Sequence, residues 1–118
     1  KQAYPSGANI DDALVNLLYQ PTQRDGAAEA FRGFINLFDD HLAPQLMGNL
    51  TVPVDLIWGE KDPWEPLAEA MNWAETIPTV RSLQVITGAG HCPHDEAPET
   101  VNQQLLRRVQ EHASAAPD

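Results

Sequence analysis

Two short apolar runs, each closed by glycine and separated by one amphipathic stretch, constrain this chain more than any other feature. The first, Val54-Asp55-Leu56-Ile57-Trp58, lies between Pro53 and Gly59 and has the length and composition of a buried strand. The second, Leu83-Gln84-Val85-Ile86-Thr87, stops at Gly88-Ala89-Gly90. Between them Leu67, Ala70, Met71, Ala74 and Ile77 recur at helical spacing, which predicts a helix from about Glu65 to Ile77. A last helix is predicted from near Pro98, since proline is favoured in a first helical turn, with Val101, Leu105, Leu106 and Val109 as its buried face. Strand, helix, strand, helix is the order of a right-handed parallel crossover, so the class is α/β. Parallel strands this short are covered on both faces, and two of them do not finish a sheet. Further strands are expected from outside this chain.

The first half reads as helical. Ile10, Ala13, Leu14, Leu17 and Leu18 form one stripe, which Pro21 stops. A second helix from about Asp25 carries Ala27, Phe31, Phe34, Ile35 and Phe38 on one face, a stripe read as core ahead of substrate contact. His41 to Leu50 is predicted as a short helix and connector, with Pro44 and Gly48 as breakers.

Composition narrows the partners. The chain has 7 Lys and Arg against 17 Asp and Glu, a net charge of −10, which repels phosphate backbones and anionic headgroups. No nucleic-acid partner is expected. With 42% apolar and 20% charged residues, a buried core is within reach. The single cysteine, Cys92, forms no intrachain disulfide, and no apolar run approaches the roughly 20 residues that span a bilayer. The start at Lys1, without an initiator Met, reads as an internal cut in a longer protein.

In open parallel sheets, ligands and reacting groups collect beyond the carboxyl ends of the strands. Here those ends lead into Gly59-Glu60-Lys61-Asp62-Pro63-Trp64-Glu65-Pro66 and Gly88-Ala89-Gly90-His91-Cys92-Pro93-His94-Asp95-Glu96. Asp62 lies four residues past Trp58, and His91 four past Thr87. With adjacent strands about 4.8 Å apart, that equal setback predicts an Asp62–His91 contact. Pro63 disfavours helical geometry at Asp62, and Gly88 and Gly90 permit a sharp turn that presents His91. A carboxylate accepting from histidine Nδ1 fixes the tautomer and leaves Nε2 free to move a proton. The competing readings are a plain turn aspartate and a histidine satisfied by backbone. Trp64 either lines a pocket mouth or covers the helix start, and both remain open. His94 and Asp95 are assigned to the start of the last helix. The cluster of His91, Cys92, His94 and Asp95 lacks a recognisable metal-ligand spacing, so no metal or other cofactor is assigned.

These loops carry a resemblance. Gly59-x-x-Asp62-Pro63 after an apolar strand, then Gly90-His91-x-Pro93-x-x-Glu96-x-Pro98-Glu99 before the last helix, resembles the C-terminal portion of the α/β-hydrolase-fold superfamily. Within it, Trp58 to Pro66 and Gly90-His91-Cys92-Pro93 are most similar to plant and cyanobacterial members related to pheophytinase, and Gly26-Ala27-Ala28-Glu29-Ala30-Phe31 resembles their lid-side region. The resemblance implies a lid- or cap-side helical segment over residues 1–50 and the end of the hydrolase core over 51–118. It makes Asp62 the acid and His91 the base of a catalytic triad, with Trp64 a candidate substrate contact.

The same resemblance implies a hydrolase, a serine esterase of apolar substrates, in a cytoplasmic or plastid setting. Esters of long-chain alcohols, such as chlorophyll-type phytyl esters, come in by analogy alone. The family's Gly-x-Ser-x-Gly elbow is absent: Ser6, Ser82 and Ser114 lack its flanking glycines. The chain by itself is therefore expected to be catalytically incomplete, with the remainder of the hydrolase core as its partner. Two alternatives share the acid and the histidine: an enzyme with an aspartate nucleophile, as in haloalkane dehalogenase- or epoxide hydrolase-like relatives, and a non-catalytic hydrolase-fold binding protein.

Overall fold

The structure, a computed structural model, describes residues 2–36 and 43–115. Its elements are α1 (Asp12–Tyr19), a 3-10 turn (Gln20–Gln23), α2 (Ala27–Asn36), α3 (Ala43–Met47), β1 (Val54–Gly59), α4 (Leu67–Thr76), β2 (Val80–Ile86), α5 (Pro93–Glu96) and α6 (Pro98–Ala115). The α/β order of the second half is as the apolar pattern predicts. Asp11 caps α1 by accepting from the Leu14 amide at 2.8 Å.

β1 and β2 pair in parallel, with Leu56 opposite Leu83, Trp58 opposite Val85 and Gly59 opposite Ile86. β2 begins at Val80, three residues before the apolar run. The reason is that its polar opening is satisfied across the sheet. A register shift between Val54 and Asp55 sets Ser82 opposite Asp55 and leaves Arg81 out of step, and both side chains donate to the Asp55 carboxylate.

The buried core sits where α4 and the first turn of α6 meet the sheet. Ile86, Ala89 and Val101 cluster with Ile57 and Ala97, and Ala70, Ile77 and Val80 are also buried. Trp58 of β1 meets Trp73 of α4 edge to face, ring centroids 5.5 Å apart.

Several apolar faces expected to be buried are not. Among the described side chains of α6 only Val101 is buried; Leu105, Leu106 and Val109 are exposed. Phe31, Phe34 and Ile35 on α2 are more than half exposed, so their stripe forms no core among the described residues; Phe38 and His41 lie outside them. The physical cause is the width of the sheet. Two strands offer one short ledge, and an 18-residue helix outruns it. Among the described residues, no helix is long and apolar enough to cross a membrane.

Away from the loops, Asp55 anchors a polar cluster that ties α6 to the sheet. It accepts from Arg81, Ser82 and His112, the last at 3.1 Å, and Arg108 stands 3.9 Å away. Burial pushes the Asp55 carboxyl up, but the hydrogen bonds from Ser82, Arg81 and His112 outweigh it and bring it down to about 2. A folded-state value below the ordinary 3.8 means a stabilisation fully present above about pH 4 and lost as pH falls through about 2. Asp55→Asn is expected to cost about 1–2 kcal/mol at neutral pH. The difference between the two proteins in urea unfolding should shrink as pH approaches about 2.

Candidate active site

Beyond the strand ends the two loops remain bonded to each other. The Glu60 amide donates to the Ile86 carbonyl at 3.1 Å and the Lys61 amide to that of Ala89 at 2.8 Å; the Gly88 amide donates to Glu60 Oε2 at 2.8 Å. Trp58 Nε1 donates back to the Glu65 carbonyl at 2.9 Å, pinning the far end of the first loop to β1. The two glycines of the second loop act differently. Gly88 takes the left-handed turn, at φ 78°, whereas Gly90 is needed for close approach. A Cβ on Gly90 would run into the Pro5 ring and the Ala3 carbonyl oxygen.

Asp62 and His91 meet as the equal setback predicts. His91 Nδ1 lies 2.9 Å from Asp62 Oδ2 and 3.1 Å from Oδ1. Asp62 is also the turn residue of the competing reading, since its Oδ1 accepts from the amides of Trp64 at 3.0 Å and Glu65 at 3.1 Å. One carboxylate does both: the turn bonds orient it, and His91 shares it. Its side chain is only 6% exposed, against 40% for His91. Burial pushes the Asp62 carboxyl up, but the two amides and His91 more than offset this and hold it below the usual carboxylate range. Asp62 is thus a charged, oriented acceptor at neutral pH. Among the described residues His91 Nε2 makes no hydrogen bond, which leaves it available for proton transfer.

Trp64 is half exposed and stands edge-on to the His91 ring, centroids 4.8 Å apart. It also lines a cleft of about 500 Å³ whose other walls include Tyr4, Ile10, Leu14, Val15 and Leu18. The apolar stripe of α1 therefore faces an open cleft beside the histidine instead of a packed core.

His94 and Asp95 do not open the last helix as expected. They sit in the separate one-turn α5, which ends at Glu96 and is capped by Ala97 before α6 starts. There Asp95 Oδ2 accepts from the Tyr4 hydroxyl at 2.8 Å, and its carbonyl from Asn9 Nδ2 at 2.7 Å. The pull of the N-terminal segment onto this turn was not readable from local pattern, because the partners are some 90 positions apart. Glu96 belongs to the same set, and its place in the Gly90-His91-x-Pro93-x-x-Glu96 motif was the available signal.

None of the three serines is placed as a partner of His91: Ser6 donates to Glu96, Ser82 to Asp55 and Ser114 to the Gln110 carbonyl. Among the described residues, no group of three or more His, Cys, Asp or Glu is arranged to hold a metal ion.

An acid and a histidine on adjacent loops beyond the carboxyl ends of two parallel strands is an arrangement that the α/β-hydrolase fold uses. The chain belongs to the alpha/beta hydrolase family, whose sequence profile matches residues 3–104. It is similar to the chloroplastic pheophytinase of Arabidopsis thaliana, with 31% identity over 108 residues that cover 86% of this chain and 22% of that protein. The chain thus spans about a fifth of the length of this relative. No solved structure matches it.

Proposed function

We propose that this chain supplies the acid and the histidine of an ester hydrolase that acts on apolar substrates. The observation that carries the reading is the Asp62–His91 pair: a buried, charged carboxylate on Nδ1, with Nε2 unengaged among the described residues. In this reading the nucleophile is a serine from the remainder of the hydrolase core, which also covers the exposed faces of α6 and the sheet. His91 Nε2 takes the serine hydroxyl proton as the oxygen attacks the ester carbonyl carbon. The carbon–oxygen bond to the alcohol then breaks, and His91 returns the proton to the departing alkoxide. Water, deprotonated by His91, next cleaves the acyl-enzyme and frees the acid and the serine. Asp62 holds the tautomer and stabilises the imidazolium in both halves. Similarity to a pheophytinase and the apolar walls of the cleft beside His91 both favour an ester with a bulky apolar group.

The test uses the intact protein that contains this chain, p-nitrophenyl esters of graded acyl length, and a fluorophosphonate probe. Hydrolysis together with stoichiometric labelling of one serine is the expected result. A protein that cleaves the esters but takes up no probe overturns the serine mechanism, and one that cleaves none overturns the esterase reading. Trp64→Ala should raise KM for long-chain esters about fivefold, the loss expected on removing roughly 1 kcal/mol of aromatic contact. KM for the acetate ester should stay within a factor of two, because its short chain does not reach the cleft.

A further inference from the structure

Glu96 is a buried charged side chain, 7% exposed, and it takes no part in the chemistry proposed for Asp62 and His91. A buried carboxylate is costly unless both its oxygens are hydrogen-bonded. Here they are. Oε2 accepts from the Gly90 amide, and Oε1 accepts from the Ser6 amide at 3.0 Å and from the Ser6 hydroxyl. The next amide along, that of His91, donates to the Ala3 carbonyl at 2.9 Å. The two amides that aim the His91 side chain are therefore gripped from two sides, one by Glu96 and one by a segment that Glu96 itself holds. The contact around Gly90 has no spare room, since Pro5 and Ala3 occupy the space a Cβ would take. The Tyr4 hydroxyl and Asn9 fasten the same segment to Asp95, and that segment leads directly into the cleft wall at Ile10 and Leu14.

We propose that Glu96 is a positioning residue for His91, holding the turn that keeps its ring on Asp62 and locking that turn to the segment Ala3–Asn9. The proposal rests on the reading of His91 as the acid–base group. Pairing between Nδ1 and the carboxylate tolerates only about half an ångström of displacement. A wholly apolar residue at 96 would leave the Gly90 amide buried without an acceptor.

Glu96→Gln separates positioning from mere stability. Glutamine has one acceptor oxygen, so its amide nitrogen must face either the Gly90 or the Ser6 amide, donor against donor. In the intact protein, kcat on p-nitrophenyl acetate is expected to fall about 30-fold with KM changed less than threefold. The downfield proton signal of His91 Nδ1–H on Asp62 is expected to broaden or move in NMR spectra. Asp55→Asn is the control, because it removes stability in a cluster far from His91 and should leave both readouts at the wild-type level. If Glu96→Gln shows no greater change in kcat and in the proton signal than Asp55→Asn, the positioning role is wrong. If Glu96→Gln does not fold, Ser6→Ala removes one of the three donors; a severalfold drop in kcat with a shifted Nδ1 signal supports the role, and a wild-type signal overturns it. Should His91→Ala keep full activity, the acid–base reading fails, while the Nδ1 signal in Glu96→Gln still decides whether Glu96 sets the ring.

Discussion

His91→Ala is expected to lower kcat for ester hydrolysis by at least about a thousandfold, with KM little changed, in steady-state assays of the intact protein. Without the imidazole no group accepts the nucleophile's proton, and what survives is the contribution of binding and of oxyanion stabilisation. Asp62→Asn is the more informative partner. Asparagine keeps an oxygen that can accept from the Trp64 and Glu65 amides, so the turn and the fold should survive. Its amide nitrogen would then lie against His91 Nδ1, favouring the tautomer with the proton on Nε2, which cannot act as a base. A loss of about 10³–10⁴ in kcat is therefore expected, with the fold kept and only a small drop in the urea unfolding midpoint from the lost carboxylate charge. Asp62→Ala removes both functions and should add about 1 kcal/mol of destabilisation, measured by urea unfolding, to the same kinetic loss. If Asp62→Asn keeps more than a tenth of wild-type kcat, Asp62 is a turn residue only.

The second large effect is on folding. Gly59 ends β1 and is buried against the second loop, where a Cβ would overlap the Gly90 carbonyl oxygen and crowd that of Ala89. Both obstacles are backbone atoms of the turn that carries His91, so neither can swing aside as a flexible side chain would. Gly59→Ala is expected to cost about 3 kcal/mol or more in urea unfolding, with a marked loss of soluble yield. Gly88→Ala is the contrast. It has φ 78° but open space around the added carbon, so about 1 kcal/mol is expected. Equal losses for the two variants would contradict the account of Gly59 as a close-approach position.

The β1–α4–β2–α6 core was legible because burial leaves a periodic trace in local sequence. Ala70 on α4 and Ile77, which caps that helix, are buried as their spacing marks, and Ile57 and Ile86 pack where the apolar runs place them. The opening of β2 was not legible, since Arg81 and Ser82 look like loop residues until Asp55 stands across from them. Helix α6 misled for the opposite reason: periodicity marks an apolar face but carries no information on what covers it. Leu105, Leu106 and Val109 share such a face and are exposed.

The same division holds at the site. Chain order, proline and glycine placement and strand length determined that Asp62 and His91 would end adjacent parallel strands, because those signals act within a few residues of each group. Tertiary structure alone decided how the pair is held. The hydrogen bonds from Ser6 to Glu96 and from Tyr4 to Asp95, the Ala3 carbonyl on the His91 amide, and the cleft between Trp64 and α1 all join positions some 50 to 90 apart. Contacts of that range leave no periodic signature in the sequence, since each depends on where the chain returns and not on what flanks it. Asp62 and His91 could be read from their neighbours; Glu96 took its meaning from Ser6.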